Sequence, residues 1–256
     1  MTTDVTLLHA RANEAARSWI PRHWIEAAVV AGTGLLAFAP IAILGPAIGW
    51  PASLRAPAAQ QLAAILHTPQ AVATGYGLYL LYSLLVLPVM LLVTRRVFGG
   101  LTSAMAQLVV ALAALSVLAR TIGILRWLTV MPQLASAHAA AEPAQRNDIE
   151  RLFSAITSYG GGIGELLGVS LFMALALGSA MAAAIRFRSL PAWLAWLGML
   201  TALLLFMTFL PAVGLSLKVP MAAAATAVST WMLAFGGWAA WTGAGPRTQA
   251  LARAES

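Results

Sequence analysis

The 256-residue chain is 61% hydrophobic and only 9% charged, carries a formal charge of +7 and has no cysteine. With a mean hydropathy of +0.84, it belongs among polytopic α-helical membrane proteins and has no length to spare for a sizeable soluble domain. Disulfides, thiolate metal sites and cysteine nucleophiles are excluded, and unalternating apolar runs argue against a transmembrane β-barrel.

The runs predict an all-α bundle of six spans at about 26–48, 71–92, 102–128, 152–185, 191–214 and 221–241, within a membrane domain 24–241. Residues 1–23 form a basic arm carrying His9, Arg11, Arg17, Arg22 and His23, and its 14–19 stretch reads as a short amphipathic surface helix. The first apolar run is too long for a signal-peptide core and lacks a small-residue cleavage site, so it reads as an uncleaved span. Gly45-Pro46 and Trp50-Pro51 are expected to break it and to begin a connection reaching about Pro69. The second span carries Pro88, expected to kink it, and stops at Arg95-Arg96.

After the third span comes the most polar internal stretch, 131–151, in which 142–151 is expected to form an exposed helix. The fourth apolar segment is long enough to project beyond one bilayer face or to bend, and it ends at Arg186 and Arg188. Pro191 opens the fifth span, a tight connection with Lys218 and Pro220 leads to the sixth, and a polar tail, 242–256, carries Arg247 and Arg253.

Six spans put both termini on one side. That side would hold Arg11, Arg17, Arg22, Arg95, Arg96, Arg186, Arg188, Arg247 and Arg253, nine cations, against Arg55, Arg146, Arg151 and Lys218, four, on the other. The positive-inside rule then predicts cytoplasmic termini in a bacterial inner membrane. Arginines placed at the ends of apolar runs read as topology control and not as a nucleic-acid surface.

Three charges interrupt the apolar segments: Arg120 and Arg126 in the third span and Glu165 in the fourth. An ionised group in hydrocarbon costs about 3 kcal/mol on insertion scales, so such residues pair or line a polar cavity. At 1.5 Å per residue, Arg120 falls about 27 Å from a cytoplasmic start at Thr102, and Glu165 about 30 Å from Arg186. All three therefore converge near the outer boundary. Two readings stay open: an ion pair of Glu165 with Arg120 that fixes helix register, or an outward-facing pocket for an anionic, small or lipid-like ligand.

Around Glu165 the run 159–165 is dense in glycine, and Gly160, Gly164 and Gly168 form a small-xxx-small stripe for close helix approach, within the bundle or to another protein in a homo- or hetero-oligomer. A break in the helix before Glu165 is the competing reading. Tyr76, Tyr79 and Ser83 share one face of the second span with Tyr82 beside it; Tyr79 and Ser83 are pocket candidates, whereas Tyr76 fits the outer aromatic belt. Trp50 and Trp127 fit that belt too, and Trp127 also borders the pocket. Trp193, Trp196, Trp238 and Trp241 fit the inner belt.

Chemistry motifs are missing. Asp4 and Asp148 both lie outside the spans, which excludes paired-aspartate intramembrane proteolysis, and His67 and His138 read as loop residues. HExxH, Walker and GxSxG patterns are absent, so no metal or cofactor is expected. The segments GYGLYLLYSLLVLPVMLLVTRR, ARTIGILRWLTVMPQLASAH and YGGGIGELLG resemble a group of uncharacterised bacterial six-helix membrane proteins, a domain-of-unknown-function family. That resemblance implies a multi-span inner-membrane protein and brings no activity with it. The leading expectation is a non-enzymatic protein in contact with membrane lipid that binds or passes a small or lipid-like ligand. The alternatives are an embedded enzyme acting on lipid or isoprenoid substrates and a structural membrane subunit.

Overall fold

A computed structural model describes residues 22–215 and 219–243, and every regular element among them is helical. The 14–19 helix expected in the basic arm, Lys218 and the tail arginines lie outside the described residues.

The first apolar run is two helices, α1 (Arg22–Leu36) and α2 (Ala39–Ile48). The chain breaks at Ala37 and Phe38, before Pro40 in the first turn of α2, and not at Gly45-Pro46 as the sequence predicted. Proline suits a first helical turn, where its missing N–H has no intrahelical partner to lose. Pro46 sits inside α2, which ends on Gly49 in the left-handed region at φ 72°. The expected loop beyond it contains a 3₁₀ turn (Ala52–Arg55) and the amphipathic α3 (Ala58–His67), which buries Gln61, Leu62 and Ile65. These three lie on one helical face.

Helix α4 (Pro69–Phe98) continues through Pro88 and ends with Arg95 and Arg96 in its last turn, before Gly99 at φ 72°. Cations there complement the helix dipole. Helix α5 (Ala104–Leu128) is capped by Ser103, whose Oγ accepts from the Ala106 N–H at 3.2 Å. The polar stretch 131–151 is also helical, divided between α6 (Val130–Ala140) and the start of α7 (Pro143–Gly161). A π-helical segment, Gly162–Phe172, joins α7 to α8 (Met173–Phe187). Helix α9 (Ala192–Phe209), a short 3₁₀ turn and α10 (Met221–Gly243) complete the described chain.

Five helical stretches are long and apolar enough to cross a membrane: His23–Ile48, Pro69–Phe98, Ala104–Ala140, Pro143–Phe187 and Ala192–Val213. Helix α10 is not among them; alanines, Thr226, Ser229, Thr230 and paired glycines dilute its hydropathy. It packs along α1, where a Cβ on Gly236 would lie 2.8 Å from the Ala31 Cβ and 3.0 Å from the Ala27 carbonyl oxygen. Such small-residue contacts let helices approach where lipid gives no hydrophobic drive. Large apolar side chains such as Leu81, Leu84, Leu115, Leu118 and Leu203 point outward, as expected where hydrocarbon is the solvent.

Two ends of the bundle differ. At one, Arg96 Nη2 lies 2.7 Å from Glu26 Oε2 and the Phe98 ring packs edge-on to Phe187 at 6.2 Å, so the start of α1 and the ends of α4 and α8 gather. At the other, α3, α6 and α7 pack on one another as a cap. There His138, expected to be a solvated loop residue, meets Glu150 Oε1 at 2.9 Å through Nε2.

Candidate functional site

Beneath the cap lies a cavity of about 30 Å³, room for about two waters. Arg120, Arg126, Trp127, Gly123 and Ile124 come to it from α5, Tyr76 and Tyr79 from α4, Gly164, Glu165 and Val169 from the π-helical segment, and Trp50 and Leu54 from the connection after α2. The structure thus brings Arg120, Arg126, Glu165, Tyr79 and Trp127 together around one space. Ser83, the remaining pocket candidate, is fully buried elsewhere on α4 with no hydrogen-bond partner for its Oγ within the protein.

Glycine makes the assembly sterically possible. A Cβ on Gly123 would stand 2.7 Å from the Gly164 Cα, and one on Gly164 would stand 3.0 Å from the Gly123 Cα, so two backbones touch at the cavity wall. A Cβ on Gly160 would meet Arg126 Nη1 at 2.6 Å, and one on Gly168 would meet the Arg120 backbone nitrogen at 2.9 Å. Gly160, Gly164 and Gly168 therefore face α5 of the same chain and leave room for its arginines.

Glu165 sits in the π-helical turn, which widens the helix without breaking it. π-helical winding is rare and recurs at functional sites. Hydroxyls donate to carbonyls of this segment. Ser170 Oγ donates to the Glu165 carbonyl at 2.9 Å and lies 2.7 Å from Thr208 Oγ1, while Ser116 Oγ donates to the Gly168 carbonyl at 2.7 Å.

The arginines are held by rings and not by carboxylates. The Arg120 Cζ stands 5.7 Å from the Tyr82 ring centroid and the Arg126 Cζ 5.5 Å from that of Trp127. Arg126 Nη1 also donates to the Gly123 carbonyl at 2.8 Å. Arg120 is only 3% exposed, yet its Nε and Nη1, like Arg126 Nε and the Tyr76 hydroxyl, have no hydrogen-bond partner within the protein. Among the described residues no N–O contact within 4.0 Å joins Glu165 to either arginine. The direct Glu165–Arg120 pair is not formed.

Tyr76 and Trp127 are buried in the wall and do not form a membrane-facing belt, and Trp50, half-buried, lines the same wall. Tyr76 stacks on Trp127 at 4.7 Å with the rings nearly parallel, and Trp127 meets Phe153 edge-on at 6.3 Å. Trp50 packs edge-on to Tyr79 at 6.0 Å. The sequence signal for Tyr76 was its spacing of three from Tyr79; for Gly123 it was the position midway between two arginines. Among the described residues no cluster of three or more His, Asp or Glu could hold a metal.

A bundle with a lipid-compatible exterior and several apolar helices of spanning length defines the class: a multi-pass membrane-protein domain. The sequence model of the family described as domain of unknown function (DUF4386) matches residues 30–241, and the chain belongs to that family. No curated protein and no solved structure matches the chain.

Proposed function

We propose that this chain is a six-span protein of the bacterial inner membrane, with both termini in the cytoplasm, that binds or passes a small or lipid-like ligand at an outward-facing Arg/Glu pocket. The observation that carries the pocket is Arg120: a buried guanidinium with two nitrogens lacking a partner in the protein, on the wall of a cavity shared with Arg126 and Glu165. Keeping such a group in an apolar bundle costs several kcal/mol. A purely structural role would be served by the direct ion pair that is not formed. Support for the orientation is the nine-to-four distribution of cations, and for the sixth span it is the length of α10 and its packing along α1.

The size of the cavity decides what enters. Space for about two waters does not take a whole lipid, so a larger ligand enters only if Trp50 and Leu54 swing away from the wall. Native mass spectrometry of the protein in mild detergent tests the reading. The expected result is a retained small ligand that Arg120→Ala and Glu165→Gln lose or weaken; no adduct and no difference among the three proteins count against it. Because the chain has no cysteine, single cysteines placed in the two terminal tails report topology without background. Labelling of intact cells from outside at either position would sink the cytoplasmic assignment.

A further inference from the structure

Resting on the pocket reading, the geometry points to the ligand's class: we propose that the cavity seats one compact monovalent anion, a halide or a carboxylate group, between Arg120 and Arg126. The charged side chains of the wall are two arginines and one glutamate, which leaves an excess of positive charge in a space walled mostly by apolar and aromatic groups. One monovalent anion would balance it. The polar atoms left without protein partners have the matching sense: Arg120 Nε and Nη1 and Arg126 Nε only donate, and the Tyr76 hydroxyl can donate as well. Arg120 is 3% exposed, Tyr76 2% and Arg126 9%, so water outside the fold does not serve these donors.

Aromatic rings orient both guanidinium groups without neutralising them, Trp127 from the cavity wall and Tyr82 from a smaller neighbouring cavity that Arg120 also lines. Tyr82 and Trp127 lie against them as ring faces, which orient a cation but carry no net charge. Gly160 and Gly168 supply the room that each arginine needs, since a Cβ at either would intrude to 2.6 Å and 2.9 Å of arginine atoms. Room for about two waters suits a halide or the carboxylate end of an apolar chain, whereas the hydroxyls of a sugar acid would meet a wall of mostly apolar and aromatic groups. The same chemistry has two sources, a free anion and the carboxylate end of a fatty acid or lipid.

The test uses the full chain in phosphatidylcholine nanodiscs, with sodium gluconate holding ionic strength constant while chloride, bromide or acetate replaces it. Thermal unfolding is read against anion concentration. A free-anion site gives a saturable rise in midpoint for the small anions, absent in Arg120→Met and about tenfold tighter in Glu165→Gln, where a nearby negative charge is removed. A lipid carboxylate instead appears in native mass spectra as a fatty-acid or acidic-lipid adduct that Arg120→Met loses. If Arg120→Met does not fold, the Glu165→Gln titration decides: tighter binding supports the site, and unchanged affinity overturns it. Wild-type protein with neither a saturable anion response nor a carboxylate adduct overturns the proposal. A neutral adduct in that case leaves the pocket reading standing, whereas no adduct at all sinks both.

Discussion

The molecule has two apolar cores, and they differ in their balance of small and large side chains, although the larger also holds Trp231 and Phe235. The larger runs through α1, α4, α5, α8, α9 and α10 and is rich in small or flexible residues such as Ala113, Ala176, Ala180, Ala184, Met90 and Met181. The smaller lies beneath the cap, where Leu44, Leu62, Ile65 and Met131 surround the aromatic group of Tyr76, Trp127 and Phe153. In hydrocarbon, burying an apolar group gains nothing over leaving it in lipid, so the larger core depends on close backbone approach and dispersion. Beneath amphipathic α3 large side chains fill the space, and wherever that cap meets water they contribute by the area they remove from it. Tyr79 packs against both cores, and the charged cavity lies where they meet. An ionisable site placed there disrupts neither core's interior.

The sharpest way to break this arrangement is to separate the helices at the meeting point. Gly123→Ala places a Cβ against the Gly164 Cα and the Gly160 carbonyl oxygen, both backbone atoms that cannot rotate away. The expected loss is about 2–3 kcal/mol, read as a lower thermal midpoint in detergent. Gly77→Ala is the control: it has nothing within 4 Å and gains about 0.5–1 kcal/mol of helix propensity. Equal effects at the two positions would mean that the backbone contact is not what holds α5 to the π-helical segment.

Replacing the charge tests the cavity from the other direction. Arg120→Met keeps much of the volume and removes a buried cation with no ion pair, so the two cores become nearly continuous. Stability is expected to stay level or to rise by up to about 3 kcal/mol, with the proposed ligand binding lost. A marked destabilisation would show that Arg120 is structural, and that its ring contact with Tyr82 outweighs its desolvation.

The sequence made the charged trio visible because hydropathy exposes any arginine or glutamate within an apolar run, and helical rise alone placed all three at similar depth. Rotation about each helix axis was not legible. That angle decides whether Trp127 faces lipid or Tyr76, and whether Gly123 meets solvent or Gly164. The difference between a broken helix and a π-helical one at Glu165 was hidden for the same reason, since both use the same glycines. Cap helices α3 and α6 were read as connections because their polar faces lower their average hydropathy. The break at Ala37 and Phe38 was missed because Pro40 sits in an unbroken apolar run, and Pro46 beside a glycine looked the stronger signal.

Hydroxyl groups give a smaller effect at the meeting point. Ser116→Ala removes the hydroxyl that donates to the Gly168 carbonyl across the two helices. The expected cost is about 1 kcal/mol, within the modest range of interhelical hydrogen bonds in membranes. Ser170→Ala is expected to cost somewhat more, since its hydroxyl serves both the Glu165 carbonyl and Thr208. A larger loss from Ser116→Ala than from Gly123→Ala would reverse the assignment of backbone contact as the main constraint.

The smallest effect separates the cap core from its own surface. Two polar side-chain pairs lie at this end: the hydrogen bond of His138 with Glu150, whose side chains are 16% and 32% exposed, and the ion pair of Arg151 with Asp148, at 83% and 79%. The second also spans 3.6 Å within one turn of α7, so water and salt screen it almost entirely. Arg151→Gln is expected to shift stability by less than about 0.3 kcal/mol, with no dependence on salt. His138 bridges α6 to α7 at a partly shielded site, so His138→Ala should loosen the cap more than Arg151→Gln does, read as faster hydrogen exchange in both helices. If the two variants exchange alike, the cap is held by its apolar contacts alone, and any opening of Trp50 and Leu54 would meet no electrostatic latch.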